Sequence, residues 1–375
     1  MELKDLRERI DAVDGEIVRL FEERMSISEE IAALKAETDR KVYDKEREEE
    51  KLSSVREMAH GEFNKKGVTE LFRQIIGMSR RRQYAILEQG RTSGRVPFIE
   101  VEKLERENIR VVYQGVEGAY SHAALRAYFG DQADAFHVKK FRDAMEAIAD
   151  GSADYAVLPI ENSTAGIVAD AFDLLVDFEN YIVAEQIIPV EHVLMACPGC
   201  RIEDVKHVYS HPQALSQCEG LFQQHPSWTA MAYGNTALAA RKIAEDAKRD
   251  QAAIGSRFAA ELFHLKVLQE HANDMDANAT RFMIVTNQRI FVKGAKKITV
   301  CFEIPHSAGS LYSILSHFIF NGLNMTAIES RPIPGRNWEY RFFIDFEGNL
   351  NDSSVRSALR GIRQEASHIK ILGNY

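Results

Sequence analysis

The chain has 375 residues, 45% hydrophobic and 27% charged, with a formal net charge of −9. That length makes two or three domains at the usual ~100–200 residues each, and the composition is that of a folded globular protein. The acidic balance argues against a general nucleic-acid binder, which is basic, and four cysteines are too few for a disulfide framework. No run reaches the ~18 apolar residues of a membrane helix. Met1 leads into Glu2, Lys4 and Asp5 with no apolar signal region, which predicts a cytoplasmic protein that does not meet a membrane.

The first stretch, residues 1–90, carries helical periodicity and no proline. Leu3, Leu6, Ile10, Val13, Ile17, Leu20, Ile27, Ile31 and Leu34 recur at helical spacing and predict one helix of some 35 residues, roughly 50 Å long. A segment this short cannot cover such a rod, so the pattern predicts a second chain and an interlocked helical dimer. The slot between Leu20 and Ile27 holds Arg24, and a guanidinium in a buried stripe is costly unless an anion meets it. Lys35 lies about three turns further on the same face, and Arg7 sits beside the stripe near its start. A second helix, about 44–59, brings Asp44, Arg47 and Glu48; a third, about 68–87, carries Ser79 and Gln83 within its apolar stripe. Buried polar residues of this kind can simply fix the register of a coiled-coil-like oligomer. The sharper reading is a pocket of cations, carboxylates, a hydroxyl and an amide, suited to a small hydroxylated dicarboxylate. The run Arg80-Arg81-Arg82 reads as a solvated face.

The segments LRERID (6–11), EERMSISEEIAALK (22–35), YDKEREEEKL (43–52) and LFRQIIGMSRRRQ (71–83) resemble the all-helical chorismate mutases. The resemblance implies a pericyclic rearrangement of chorismate to prephenate without covalent catalysis. Arg7, Arg24 and Arg47 would then hold the substrate carboxylates, Arg7 being donated by the partner chain, and Ser79 would contact a carboxylate. Lys35 and Gln83 would hydrogen-bond the ether oxygen where negative charge develops, and Glu48 and Asp44 would hold the ring hydroxyl.

Residues 91–107, broken by Gly94 and Pro97, read as a linker. From 108 to 287, β-rich runs alternate with helical ones and predict an α/β domain: 109–113, 153–160, 181–190, 252–256 and 281–286. Polar groups stand at the ends of three strands, one of them a short strand ending at Tyr209; open α/β sheets bind ligands at strand ends. Glu161, Asn162 and Ser163 follow one strand. Ser210 reads as the N-cap of a helix carrying Gln217, and Thr280 and Arg281 open the last strand. Each taken alone is an ordinary cap or strand-edge residue. The glycine turn QGVEGAYSHAAL (114–125) lacks dinucleotide-binding spacing. Cys197-Pro198-Gly199-Cys200 is a lone CxxC, and the histidines show no metal-ligand spacing.

PIENSTAG, SHPQALSQC and TRF, in this order, resemble the prephenate dehydratases over about 108–287. The resemblance implies two α/β lobes, like a solute-binding protein, with the site between them, and loss of CO2 and water from prephenate without metal or cofactor. Thr280 would sit beside the departing hydroxyl. Glu161, Asn162, Ser163, Ser210, Gln217 and Arg281 would line the cleft, and His211 would orient its loop.

After 297 the runs read strand, helix, strand, strand, helix, strand (298–304, 308–320, 325–331, 338–346, 351–364, 368–373), a ferredoxin-like βαββαβ unit. Residues 298–318 and 328–348 resemble an ACT regulatory domain of the kind attached to prephenate dehydratases. This implies that L-phenylalanine binds at Gly309, Ser310 and Leu311 with Glu329, Ser330 and Arg331, and inhibits. The unit can also be read as a dimerisation module, and the whole chain as a two-lobed ligand sensor without chemistry.

Overall fold

A computed structural model of the chain describes residues 2–38, 40–89, 97–275 and 277–375. The chain folds as two compact units: one joins Met1–Phe98 to Gly294–Ile371, the other joins Ile99–Lys293 to Leu372–Tyr375. Three helices open the first unit: α1 (Leu3–Thr38), α2 (Lys45–Met58) and α3 (Glu62–Gln89). Asp44 starts α2, its carboxylate accepting from the Arg47 amide at 3.1 Å and so satisfying an orphan donor. α3 begins before its apolar stripe, from the turn at Gly61, where φ is 80°.

Among the described residues the apolar stripe of α1 finds no cover. Leu3, Ile10, Val13, Ile17, Leu20, Ile27 and Leu34 are each more than half exposed, and residues 2–20 are exposed throughout. The sheltered positions are instead Phe21, Arg24, Met25, Ser28, Glu29, Ala32 and Lys35, which overturns the placing of Arg24 within the apolar stripe. Positions 24, 28, 32 and 35 form their own row along the helix, offset from the stripe.

The second unit has two lobes. The first is built from β1 (Ile99–Val101), β2 (Arg110–Gln114), α4 (Tyr120–Phe129), β3 (Asp134–Val138), α5 (Phe141–Ala149), β4 (Tyr155–Asn162), β5 (Gly166–Ile167), α6 (Ala169–Asp177) and β6 (Tyr181–Pro189). The second contains β7 (His192–Ala196), β8 (His207–Ser210), α7 (Pro212–Ser216), α8 (Glu219–Gln224), β9 (Thr229–Ala232), α9 (Thr236–Asp246), β10 (Gln251–Ser256), α10 (Arg257–Leu262) and β11 (Lys266–Gln269). The chain then returns to the first lobe through β12 (Ala279–Thr286) and β13 (Ile290–Val292). The main sheets run β6-β12-β4-β2-β3 and β11-β7-β10-β8-β9. Strand β10 is buried along its length, with Ala252 and Ile254 entering one core and Ala253 the other. Its uninterrupted apolar run is what a doubly covered strand requires.

Part of the stretch read as linker belongs to this unit. Ile99–Val101 pairs in parallel with Ile290–Val292, and Leu104 is buried in the first lobe's core. A three-residue strand is too short to show a period. Gly94 lies outside the described residues.

The chain ends with β14 (Lys297–Glu303), α11 (Ser310–Phe320), β15 (Met325–Pro332), β16 (Tyr340–Glu347), α12 (Ser353–Glu365) and β17 (His368–Asn374). The strand order β15-β16-β14-β17 with this connectivity is the ferredoxin-like arrangement, as expected. Gly309 enters α11 with φ 84°, a left-handed conformation that favours glycine. Helix α12 packs against α3 within the first unit. Among the described residues no helix is long and apolar enough to cross a membrane.

Candidate active sites

The helical segment gathers most of its expected residues along one line. Arg24 donates to the Ser79 hydroxyl across α1 and α3, and Ser79 donates to the Ile75 carbonyl at 3.0 Å. One turn on, Gln83 donates from Nε2 to Ser28 Oγ at 3.1 Å, while its buried Oε1 has no partner. The Ser28 hydroxyl can donate or accept, so a half-turn of the amide keeps that bond and presents Nε2 instead. Lys35 donates to the Val42 carbonyl at 2.9 Å, and Asp44 and Glu48 face it electrostatically. Burial lowers the Arg24 pKa; it also lowers that of Lys35, against the pull of Asp44 and Glu48. Burial raises the Glu48 carboxyl, Arg80 and Lys35 opposing and Glu365 and Asp44 reinforcing.

Two expected residues stand apart. Arg47 is exposed and pairs with Glu50 at 3.1 Å. Arg7 lies on the exposed arm of α1, about 25 Å along the helix from Arg24. Arg80 and Arg81 correct the reading of a solvated run. Arg80 is 13% exposed and pairs with Glu48 and Glu365, and Arg81 stacks over Phe320 at 3.2 Å. Successive helix residues turn by about 100°, so consecutive arginines meet different surroundings. Only Arg82, paired with Glu29 at 2.6 Å, is on the surface. Ser28 was missed; its place one turn after Arg24 was the available signal.

In the two-lobed unit, pairing of β12 with β4 sets Thr280 opposite Asn162 and Arg281 opposite Glu161. Asn162 Nδ2 donates to Asn278 Oδ1 (2.8 Å), Thr280 Oγ1 (3.0 Å) and the Ala279 carbonyl (3.2 Å). Its Oδ1 accepts from the amides of Thr164 (3.2 Å) and Ala165 (2.9 Å), so backbone groups on both sides fix the amide's orientation. The chain of bonds extends into the second lobe. Thr164 Oγ1 donates to Asn162 Oδ1 at 2.8 Å, and Gln217 Nε2 donates to Thr164 Oγ1 at 3.3 Å. His192 Nε2 lies 3.2 Å from Gln217 Oε1, and Tyr120 OH 3.1 Å from His192 Nδ1.

The orientation of the Gln217 amide assigns the directions in this chain: its Oε1 can only accept, which puts the His192 proton on Nε2 and leaves Nδ1 to accept from Tyr120, whose hydroxyl also lies 3.4 Å from the Glu191 carbonyl. Burial lowers the His192 pKa and so favours the neutral ring, while the bond to Gln217 pulls the other way. Each member donates to the next: Tyr120, His192, Gln217, Thr164, Asn162, Thr280. Because Thr280 oxygen accepts from Asn162, its own proton is left to donate onward, and bonds in series polarise one another. Tyr120, Thr164, His192 and Asn278 were not singled out from sequence.

Other members fall differently. Ser163 ties the loop, donating to the Ala277 carbonyl at 3.1 Å and accepting from the Ala279 amide. Arg281 pairs with Glu161 (3.2 Å) and Glu185 (3.4 Å). Ser210 is not a cap: it is fully buried and donates to the Ile254 carbonyl at 2.7 Å. The N-cap is His211, whose ring accepts from the Gln213 amide, because Pro212 takes the first helical position. Gln217 is at the C-cap of α7. In the glycine turn the Gly118 amide donates to His122 Nδ1 (3.2 Å), and that ring stacks on Tyr113, a structural role. Cys197 and Cys200 donate to backbone carbonyls in the core.

In the last segment, a pocket of about 350 Å³ is lined by Pro305, Gly309, Ser310, Leu311, Tyr340 and Phe342, among others. Glu329, Ser330 and Arg331 lie on edge strand β15 and do not line it, so a single chain does not bring the two expected trios together.

Comparison with known proteins finds relatives of both segments. The prephenate dehydratase family model matches residues 111–290, and that for type II chorismate mutase matches 6–84. The bifunctional chorismate mutase/prephenate dehydratase of Aquifex aeolicus is 30% identical, over 100% of this chain and 98% of its own length. Among solved structures, the prephenate dehydratase of Arthrobacter aurescens in complex with L-Phe is 32% identical with a TM-score of 0.66, covering 71% of this chain and 89% of that one. A structure described as GqqA, a quorum quenching acylase, is 30% identical with a TM-score of 0.65, covering 70% of this chain and 96% of that one. Full-length identity to the Aquifex protein, with both family models matched in the same order, means that the chain belongs to the bifunctional chorismate mutase/prephenate dehydratase family.

Proposed function

We infer that the chain performs two consecutive steps of phenylalanine biosynthesis: chorismate rearranges to prephenate on the helical segment, and prephenate becomes phenylpyruvate on the two-lobed one. The observation that carries this reading is the presence of both polar constellations in one chain, each with its groups already oriented. In the first, Arg24 and Ser79 take a carboxylate, Lys35 and Gln83 donate to the ether oxygen as its C–O bond breaks, and Asp44 and Glu48 accept from the ring hydroxyl. The work is electrostatic, with donors aimed at charge that exists only in the transition state. In the second, the C–CO2 bond breaks, its electron pair enters the ring, and hydroxide leaves; Thr280 donates its free proton toward that oxygen, while Arg281 and Glu161 hold the substrate. Gly309–Leu311 and the β15 trio belong to an ACT-type regulatory module. L-Phenylalanine binds there as feedback inhibitor, with β15 supplied by a second copy. The exposed stripe of α1 supports a homodimer in which the partner subunit's Arg7 completes the mutase pocket. We place the enzyme in the cytoplasm.

The test is ultraviolet detection of chorismate loss and phenylpyruvate appearance with the purified chain. Both are expected; binding of chorismate or prephenate without turnover would make the chain a sensor instead.

A further inference from the structure

Behind Glu48, away from the residues assigned to substrate, three charged side chains from three helices meet. Arg80 on α3 places Nε 3.4 Å from Glu48 Oε1 on α2, and Nη1 2.8 Å from Glu365 Oε1 at the end of α12. Side-chain exposure falls from 22% at Glu48 to 13% at Arg80 and 6% at Glu365. The guanidinium also covers the Tyr43 ring at 4.9 Å. The same Glu365 oxygen lies 2.9 Å from His317 Nε2, and its other oxygen accepts from Ser313 Oγ at 2.6 Å. Next to it, Gln364 Oε1 accepts from Tyr84 OH at 3.0 Å and from the Tyr43 amide at 3.3 Å. The last turn of α12 thus grips both the arginine that meets Glu48 and the residue preceding Asp44.

A single buried ion pair needs no third charge, and a second carboxylate on one guanidinium adds desolvation cost. What the third charge does is divide the fork of Arg80, so that Glu48 receives part of a cation rather than all of it. We propose that Glu365, acting through Arg80, is a positioning residue of the mutase pocket that sets the charge and direction of Glu48, so that the βαββαβ segment completes the chorismate site. The proposal rests on the reading of the helical segment as a mutase.

The groups facing Glu48 are Lys35 from α1, Asp44 at the start of α2, Arg80 from α3 and Glu365 from α12. Those facing Glu365 are His317 and Ser313 from α11 and Arg80; burial would raise its carboxyl, but these partners hold it below its usual range. Glu365 is therefore a standing negative charge that, with burial, keeps the Glu48 pKa up, while Arg80 pulls it down. Mutase activity needs Glu48 as a carboxylate, so it falls as pH drops through the Glu48 pKa. Removing the charge of Glu365 shifts this acid limb to lower pH; removing Arg80 shifts it to higher pH.

The experiment is kcat/KM for chorismate against pH with the full-length parent, Glu365→Gln, Arg80→Gln and Glu48→Gln, with prephenate turnover of each preparation as the check on folding. Glu365→Gln keeps one oxygen, which at the Oε1 position still serves His317, while the amide nitrogen at the other position donates to Ser313 Oγ, whose hydroxyl can also accept. The expected result is limbs displaced in opposite directions by about half a pH unit or more, a change of about threefold at a pH on the limb. Limbs that coincide with the parent's, or move the same way, while Glu48→Gln is impaired, overturn the proposal and leave the mutase reading standing. A Glu48→Gln chain as active as the parent removes Glu48 from the pocket, and the proposal with it.

Discussion

Asn162→Asp tests the directed chain that ends on Thr280, with an almost isosteric change. In the parent, Asn162 Nδ2 donates into Thr280 Oγ1 at 3.0 Å and into Asn278 Oδ1 at 2.8 Å. In the variant an oxygen stands in that place. It can only accept, so the Thr280 proton turns back toward residue 162 and no longer points to the leaving hydroxyl. The same oxygen opposes Asn278 Oδ1 and the Ala279 carbonyl, at a stability cost of about 1–3 kcal/mol, tolerable against a typical total of about 5–15. A hydrogen bond to a group acquiring charge contributes about 1.5–3 kcal/mol, so kcat for prephenate should fall by about tenfold to a hundredfold. Asn162→Ala, which leaves the Thr280 hydroxyl free to rotate, should lose less. The loss in Asn162→Asp should shrink in acid, where a protonated carboxyl can again donate to Thr280. Prephenate turnover is the assay and chorismate turnover the folding control. An Asn162→Asp chain with the parent's kcat for prephenate would refute the directional argument.

Arg24→Ala should abolish chorismate turnover and spare prephenate turnover, since it removes a sheltered cation and the donor to Ser79; loss of such a contact costs about 2–5 kcal/mol, more than tenfold in rate. Equal loss of both activities in steady-state assays would mean unfolding. Gln83→Glu should give a mutase that works best in acid: a carboxyl donates only when protonated, its ordinary pKa is about 4.3, and burial at this site raises it. A pH–rate profile matching the parent's would place residue 83 away from the ether oxygen. L-Phenylalanine should bind by calorimetry and slow prephenate turnover, with a coupling of about 1–3 kcal/mol. Binding without inhibition keeps the pocket at Gly309 and rejects the switch.

Residues whose role is local could be read from the sequence. The apolar runs at 298–304 and 338–346 suit strands buried along most of their length, so the strands there, and β15 beside them, fall within a residue or two of their expected ends. Thr280 and Asn162 were legible because both stand at strand ends, where polar groups interrupt apolar runs. Residues whose role depends on a distant partner were not. Arg80 looks like its neighbours until α12 arrives against α3, and His192 looks like a strand residue until Gln217 and Tyr120 reach it. The cap at Ser210 failed for a local reason, the preference of Pro212 for the first helical position.

The placement of the dehydratase unit inside the other unit's sequence has a consequence for biogenesis. Tyr84 and Gln364, which bond each other, are 280 residues apart, with the two-lobed unit between them. At a translation rate of about 5–20 residues per second, the helices of the mutase wait roughly 15–55 s for the segment that clamps them. Through that interval the apolar stripe of α1 and the underside of Arg80 are both uncovered, while the dehydratase lobes lack only Leu372–Tyr375 of their unit and can already pair Ile99–Val101 with Ile290–Val292. The segment that is synthesised first therefore waits until nearly the end of translation for its packing partner, and it is the segment on which a nascent-chain chaperone would act.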